Sequence, residues 1–170
     1  MVTIDQANQD FAQKVQSKEG GETLMLCFQC GTCTASCPSG RMTAYKTRKL
    51  IRRAQLGMEE EVLNSPDLWM CTTCYSCMER CPRGVEIVDL ITLLRNLAVE
   101  KGVMSEPHKK VGTMLVKYGG TVPLTEEYEN QREALGLDRK PVSTLGNEKA
   151  LADLKKILKA TGFDELVGGN

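Results

Sequence analysis

The chain has a single histidine, His108, among 170 residues, and that scarcity removes much of the usual catalytic chemistry. A serine or cysteine nucleophile needs a base beside it. His108 follows Pro107 in what reads as a first helical turn, so it is expected at the surface. No G-x-G-x-x-G opens a βαβ unit and no Walker-type loop occurs, so neither a nicotinamide or flavin site nor a nucleotide-phosphate cradle is expected. Aromatic residues make up 5% of the chain, and only Tyr45 interleaves with the main basic run, which argues against nucleic acid. Net charge is missing too: 22 basic and 22 acidic residues cancel, leaving no general pull on polyanions. No apolar run approaches the ~18–20 residues of a membrane span. The richest stretch, Val85 to Val99, is broken by Glu86, Asp89, Arg95 and Asn96. The first 25 residues carry Asp5, Asp10, Lys14 and Lys18 and no apolar segment, so no secretory signal is expected. The reading is a soluble protein of the cytoplasm, where thiols stay reduced.

Cysteine is what the chain does have. Its eight cysteines form one pattern written twice: Cys27, Cys30, Cys33, Cys37 with Pro38, then Cys71, Cys74, Cys77, Cys81 with Pro82. Each copy reads C-x2-C-x2-C-x3-C-P, the iron–sulfur run of bacterial-type ferredoxins. Three cysteines at intervals of three in a tight loop wrap three corners of a cubane, the fourth approaches from another direction, and the proline redirects the chain. The expected cofactors are two [4Fe–4S] clusters. Resemblance to two-cluster ferredoxins, where the fourth cysteine of each run serves the other cluster, implies Cys27, Cys30, Cys33 and Cys81 on one and Cys71, Cys74, Cys77 and Cys37 on the second.

Three other readings fit less well. Structural zinc uses two C-x2-C pairs per ion, leaving the third cysteine of each run and the proline without a role. A disulfide framework belongs to short secreted chains, and a redox C-x-x-C to one pair near a βαβ unit. With both clusters loaded, the formally neutral chain moves to about −4. The stretch Arg41 to Ala54 holds Arg41, Lys46, Arg48, Lys49, Arg52 and Arg53 with no acid. It reads either as a solvated helix face or as a positive patch that offsets cluster charge or docks an acidic partner.

Helix signals dominate, and the fold class is all-α. Thr3 with Gln6 makes a capping box, followed by Ile4, Ala7, Phe11 and Val15 at helical spacing and a stop at Gly20-Gly21. Between the runs, 33 residues separate Cys37 from Cys71, enough for a helix from Thr43 to Gln55 with Tyr45, Leu50, Ile51 and Ala54 inward. A short helix over Glu59 to Leu63 follows, then Ser65-Pro66 as a cap. Motifs linked by helices indicate an α-helical ferredoxin domain with two cluster-binding loops and additional N- and C-terminal helices. The strongest helix spans Val85 to Glu100, its apolar stripe being Ile87, Val88, Ile91, Leu94, Leu97 and Ala98, with Gly102 after it. Further helices are expected after Ser105, Thr125 and Asn147. The last carries Leu151, Leu154, Ile157 and Leu158, which read as core or as docking surface. Phe163 to Asn170 has few means of staying ordered alone. The organisation is a cluster-binding domain over 1–120 and a docking extension over 121–170.

The residues inside the runs carry a closer resemblance. Cys27-Phe28-Gln29-Cys30-Gly31-Thr32-Cys33-Thr34-Ala35-Ser36-Cys37-Pro38-Ser39-Gly40-Arg41 resembles the first motif of the C subunit of heterodisulfide reductase from methane-forming archaea. Trp69-Met70-Cys71 through Cys81-Pro82-Arg83-Gly84-Val85 resembles the second. The close likeness covers Leu26 to Gly102. It implies a non-catalytic electron-transfer subunit of an oxidoreductase complex. Such a subunit relays electrons from a flavin-containing A subunit to a catalytic B subunit with CCG motifs, which reduces the mixed disulfide of coenzymes M and B. A hydrogenase or formate dehydrogenase supplies the electrons. No CCG motif occurs here. The alternatives are the iron–sulfur subunit of a succinate, fumarate or glycolate dehydrogenase, or of a related sulfur-metabolism complex. The succinate type needs an N-terminal [2Fe–2S] domain that the 26 residues before Cys27 are too few to form.

Overall fold

The computed structural model describes residues 6–122, 124–144 and 147–168. Thr3 and Ile4 lie outside them, and so does the side chain of Ala7. The chain divides into two compact units, residues 1–103 and residues 104–170. Among the described residues every regular element is a helix, and none is long and apolar enough to cross a membrane.

The first unit is an internal repeat. Helix α1, Gln6–Gln16, precedes it and inserts Phe11 and Val15 into the core. The first copy is a 3-10 turn, Leu24–Leu26, the first cysteine loop, the short helices α2, Thr32–Ser36, and α3, Pro38–Met42, and the longer α4, Thr47–Gln55. Helix α5, Glu59–Leu63, links the copies. The second copy is a 3-10 turn, Pro66–Met70, the second loop, the short α6, Ser76–Glu79, and the long α7, Ile87–Glu100. Helix α4 packs on the first turn and on α2. Helix α7 packs in the same way on the second turn and on α6, and α2 packs against α6 to join the copies.

The apolar stripe of α7 explains its place. Ile87, Val88, Ile91, Leu94, Leu97 and Ala98 are buried as the spacing requires, and Leu90 is buried with them. Each fully buried aliphatic side chain stabilises the fold by about 1.5–3 kcal/mol. Gly102, at φ 81°, ends the helix region in the left-handed conformation that glycine adopts without strain. Lys101 pairs with Glu59 at 3.0 Å and Glu60 at 3.3 Å across to α5, an exposed arrangement that adds little.

Two expectations shift. The helix read from Thr43 begins at Thr47 instead. Thr43 is extended at φ −135°, ψ 174°, donates its hydroxyl to Ser39 O at 2.8 Å and accepts Tyr45 N at 3.2 Å. Those bonds close α3, which the sequence pattern did not announce, and Tyr45 is buried from the connection rather than from the helix.

The second unit comprises α8, Glu106–Tyr118, α9, Glu126–Ala134, α10, Glu148–Ala160, and α11, Phe163–Leu166. Helix α8, which the sequence pattern grouped with the clusters, packs with α10 and α11. Asn147 caps α10, its Oδ1 accepting from Ala150 N at 3.0 Å. Ser105 and Thr125 make no such side-chain cap. Phe163 to Leu166 is a helical turn held from behind: Val167 is buried against Gly112 of α8, where a Cβ would stand 2.5 Å from Val167 Cγ1. Residues 139–143 of the expected loop carry no helix, and Thr144 donates to Gly119 O at 2.7 Å.

Candidate metal centres

Both cysteine loops take the same backbone path. Cys27 and Cys71 share an extended conformation, φ −71° with ψ 113° and 124°. Two residues on, Gln29 and Thr73 turn left-handed at φ 68° and 51°. Two further on, Gly31 and Tyr75 do so again at φ 88° and 62°. The reversals let each loop wrap inward. Three of the four left-handed residues are not glycine, a costly choice that persists where the surroundings dictate it.

The first three cysteines of each run then meet equivalent surroundings. Cys33 and Cys77 are buried and Cys30 and Cys74 are exposed, while Cys27 and Cys71 are intermediate. Cys30 Sγ pairs with Thr32 Oγ1 at 3.4 Å, and Cys74 Sγ with Ser76 Oγ at 3.6 Å. Hydroxyl and backbone groups of those neighbours hold both thiols below their ordinary pKa. Cys37 Sγ accepts from Gly40 N at 3.4 Å and Cys81 Sγ from Val85 N at 3.3 Å. Gln29 Nε2 donates to Cys27 Sγ at 3.4 Å. These donors suit thiolates rather than thiols.

Burial pushes the inner thiols the other way. Cys33 is raised by desolvation and by Cys27 and Cys30 beside it, and Cys77 reaches about 12 through desolvation and the neighbouring Cys71, Cys33 and Cys74. A bare thiolate is disfavoured at both places, and a cationic core among the sulfurs reverses that preference. Cys33 is among the groups that raise Cys77, and α2, which carries Cys33, packs on α6, which carries Cys77, so the two loops adjoin.

The end of each run is tied to the start of the other. Tyr45 is fully buried, and its phenol is driven above the ordinary range first by desolvation and then by Cys71, Cys37 and Cys77. The charges of two cysteines of the second run and the last of the first thus bear on one phenol. Its hydroxyl, with the Thr47 side chain nearby, has no partner of good hydrogen-bond geometry, an orphaned donor that a sulfur-rich group would satisfy. Ser39 Oγ, two residues after Cys37, donates to Met70 O at 2.7 Å, just before Cys71. Glu86 N, five residues after Cys81, donates to Thr23 Oγ1 at 3.0 Å, four residues before Cys27. All eight cysteines are free thiols. Among the described residues no three Cys, His, Asp or Glu side chains are gathered as a single metal ion requires. A cubane instead spreads its four thiolates over four irons.

Spacing alone did not reveal two carbonyl clamps. Gln55 Nε2 on α4 donates to Leu24 O at 3.1 Å and Cys27 O at 2.8 Å. Arg95 on α7 donates from Nε to Leu68 O and from Nη2 to Cys71 O, both at 2.7 Å. Arg95, a charged break in the apolar stretch of α7, was the only sequence signal. His108 is exposed and far in sequence from either loop.

Residues 23–85 match the model of the 4Fe-4S dicluster domain. With the repeated loops and the all-helical frame, this defines the class: an α-helical iron–sulfur electron-transfer protein carrying two [4Fe–4S] clusters. Over 163 residues the chain is 49% identical to the C subunit of the H(2):CoB-CoM heterodisulfide,ferredoxin reductase of Methanothermobacter marburgensis, covering 96% of this chain and 88% of that one. It is 46% identical over 159 residues to the iron-sulfur C subunit of the CoB--CoM heterodisulfide reductase of Methanopyrus kandleri, covering 94% and 83%. It is 49% identical over 150 residues to the C subunit of the ferredoxin/F(420)H(2)-dependent CoB-CoM heterodisulfide reductase of Methanosarcina acetivorans, covering 88% and 92%. The chain belongs to the family of heterodisulfide reductase C subunits.

Proposed function

We propose that this subunit has no catalytic site of its own and relays electrons within a heterodisulfide reductase complex. It takes them from a flavin-containing A subunit and passes them to a CCG-motif B subunit, which reduces the coenzyme M–coenzyme B disulfide. A hydrogenase or formate dehydrogenase is the source, and the setting is the cytoplasm. When bound, the two [4Fe–4S] groups supply one-electron redox chemistry. Cys27, Cys30, Cys33 and Cys81 hold one, and Cys71, Cys74, Cys77 and Cys37 hold the other. The observation that supports the crossed sets is that the end of each run is tied to the start of the other, Ser39 Oγ to Met70 O and Glu86 N to Thr23 Oγ1, with α2 packed on α6. Buried Cys33 and Cys77 keep water from the adjoining faces. Exposed Cys30 and Cys74, with exposed Phe28 and Tyr75 beside them, turn the outer faces to partners. Residues 1–103 serve the clusters and the extension over 121–170 serves docking, where Ile157 is 60% exposed on α10.

The full chain loaded under anaerobic conditions tests this. It is expected to hold about eight iron and eight labile sulfides. Cys37→Ser should disturb the cluster of Cys71, Cys74 and Cys77, and Cys81→Ser the other. Damage confined to each mutated run's own cluster would refute the crossed ligand sets. With an artificial donor the chain alone should not turn over a disulfide, and adding the B subunit should restore turnover. Comparable rates from the chain alone would refute the relay.

A further inference from the structure

Gln55 and Arg95 do the same mechanical job in the two copies. Each spans a pair of carbonyls three residues apart, on Leu24 and Cys27 or on Leu68 and Cys71. They differ in charge. Gln55 is neutral, and its Oε1 is occupied by Gln29 Nε2 at 3.3 Å and Arg52 Nη1 at 3.4 Å. Arg95 carries a charge that no physiological pH removes. It is half-buried, with its guanidinium carbon 5.8 Å from the Trp69 ring centre.

A cation held close to a cluster favours its more negative, reduced form, and hydrogen bonds to the sulfurs act in the same sense. The second copy has the half-buried cation, Arg95 at the Cys71 carbonyl, while hydrogen bonds to sulfur occur in both copies, Gln29 Nε2 on Cys27 Sγ and Gly40 N on Cys37 Sγ. The first copy has cations too, but they are exposed and screened by water and salt. Arg48 Nη1 reaches Gln29 O at 3.3 Å, and Arg52 touches Gln55. Against them, Glu19, Glu22, Glu86 and Asp89 line one cleft beside the Thr23–Glu86 bond. Arg80, reaching Ser36 of the other loop at 3.4 Å, is common to both copies.

We infer that Arg95 is a positioning residue that sets the direction of electron flow: it makes the Cys71 side the higher-potential centre, so one electron passes downhill to it from the Cys27 side. The exchange forms and breaks no bond; one centre loses the electron that the other gains. The inference rests on the two-cluster relay reading above.

Redox titration of the loaded full chain, followed by electron paramagnetic resonance, reads two midpoints without needing catalytic turnover. Arg95→Gln, which copies the first clamp into the second, is expected to lower the higher midpoint by about 59 mV, a tenfold shift for one electron, with eight iron retained. Arg95→Lys keeps the charge and should return most of that shift. Gln55→Arg should raise the lower midpoint. A lower midpoint that moves in Arg95→Gln, or two unmoved midpoints, overturns the inference. If Arg95→Gln sheds iron, Gln55→Arg decides: a raised lower midpoint supports the role of clamp charge and an unmoved one overturns it. A wild-type chain that binds zinc, or fewer than two cubanes, would sink the underlying relay reading instead, and iron analysis distinguishes that failure.

Discussion

The two compact units solve the problem of burial differently. Residues 1–103 enclose a continuous apolar core in which Leu24, Ala54, Val62, Leu68, Val85, Leu90, Ile91 and Leu94 reach 0% exposure. Among the described residues of 104–170, no apolar side chain reaches that depth, and the one buried large apolar side chain is Val167, at 2%. Leu151, Leu154 and Leu158 of α10 are merely half-covered, while Leu135 and Val142 are open to solvent. A unit that must hold redox groups away from water needs a dense, preorganised interior. The second unit holds none, and its helices rest on the Asn147 cap, glycine stops and close approaches at Gly112 and Gly119.

Three measurements bear on that contrast, beginning with the one that should change most. Chelating the iron from the loaded chain removes binding energy that is also folding energy for the loops. Amide hydrogens in residues 29–37 and 73–81 are expected to exchange about a hundredfold faster, with those of residues 106–118 nearly unchanged. Equal acceleration in both regions would show that the second unit also depends on the clusters. Next, Leu94→Ala opens a cavity in the dense core and should cost about 2–5 kcal/mol by urea unfolding of the full chain. Leu154→Ala on α10, already half-exposed, should cost under about 1.5 kcal/mol. Equal losses would erase the distinction between core and shallow packing. The smallest effect belongs to Gly112→Ala. The added methyl gains helix propensity but meets Val167, for a net cost of about 1 kcal/mol. Faster proteolysis confined to residues 104–168 would report it, and a stabilised α8 would show that Val167 yields easily.

Local features were legible in the sequence and distant ones were not. The cysteine repeat is a matter of spacing, and α7 announced itself because seven of its residues face one core. Helix α3 was not readable, because no apolar period marks it; a cysteine sulfur, Pro38 and the Thr43 hydroxyl define it instead. The left-handed turns at Gln29, Thr73 and Tyr75 fall on residues that give no sign of them, since the loop and not the side chain dictates the angle. The Gln55 clamp joins residues 28 and 31 apart, and the Arg95 clamp joins residues 24 and 27 apart, beyond any local pattern. The C-terminal turn read as unsupported because its support, Gly112, has no side chain with which to advertise a contact.

That last pairing puts the chain on a clock. Everything the first unit needs is in hand once residue 103 has been synthesised, so it is able to close, and to be loaded, while translation continues. Gly112, by contrast, waits for Val167, fifty-five residues later, about 3–11 s at typical synthesis speeds. The order of manufacture follows from where the contacts fall: the redox unit is complete before the shallower unit has closed Val167 onto Gly112.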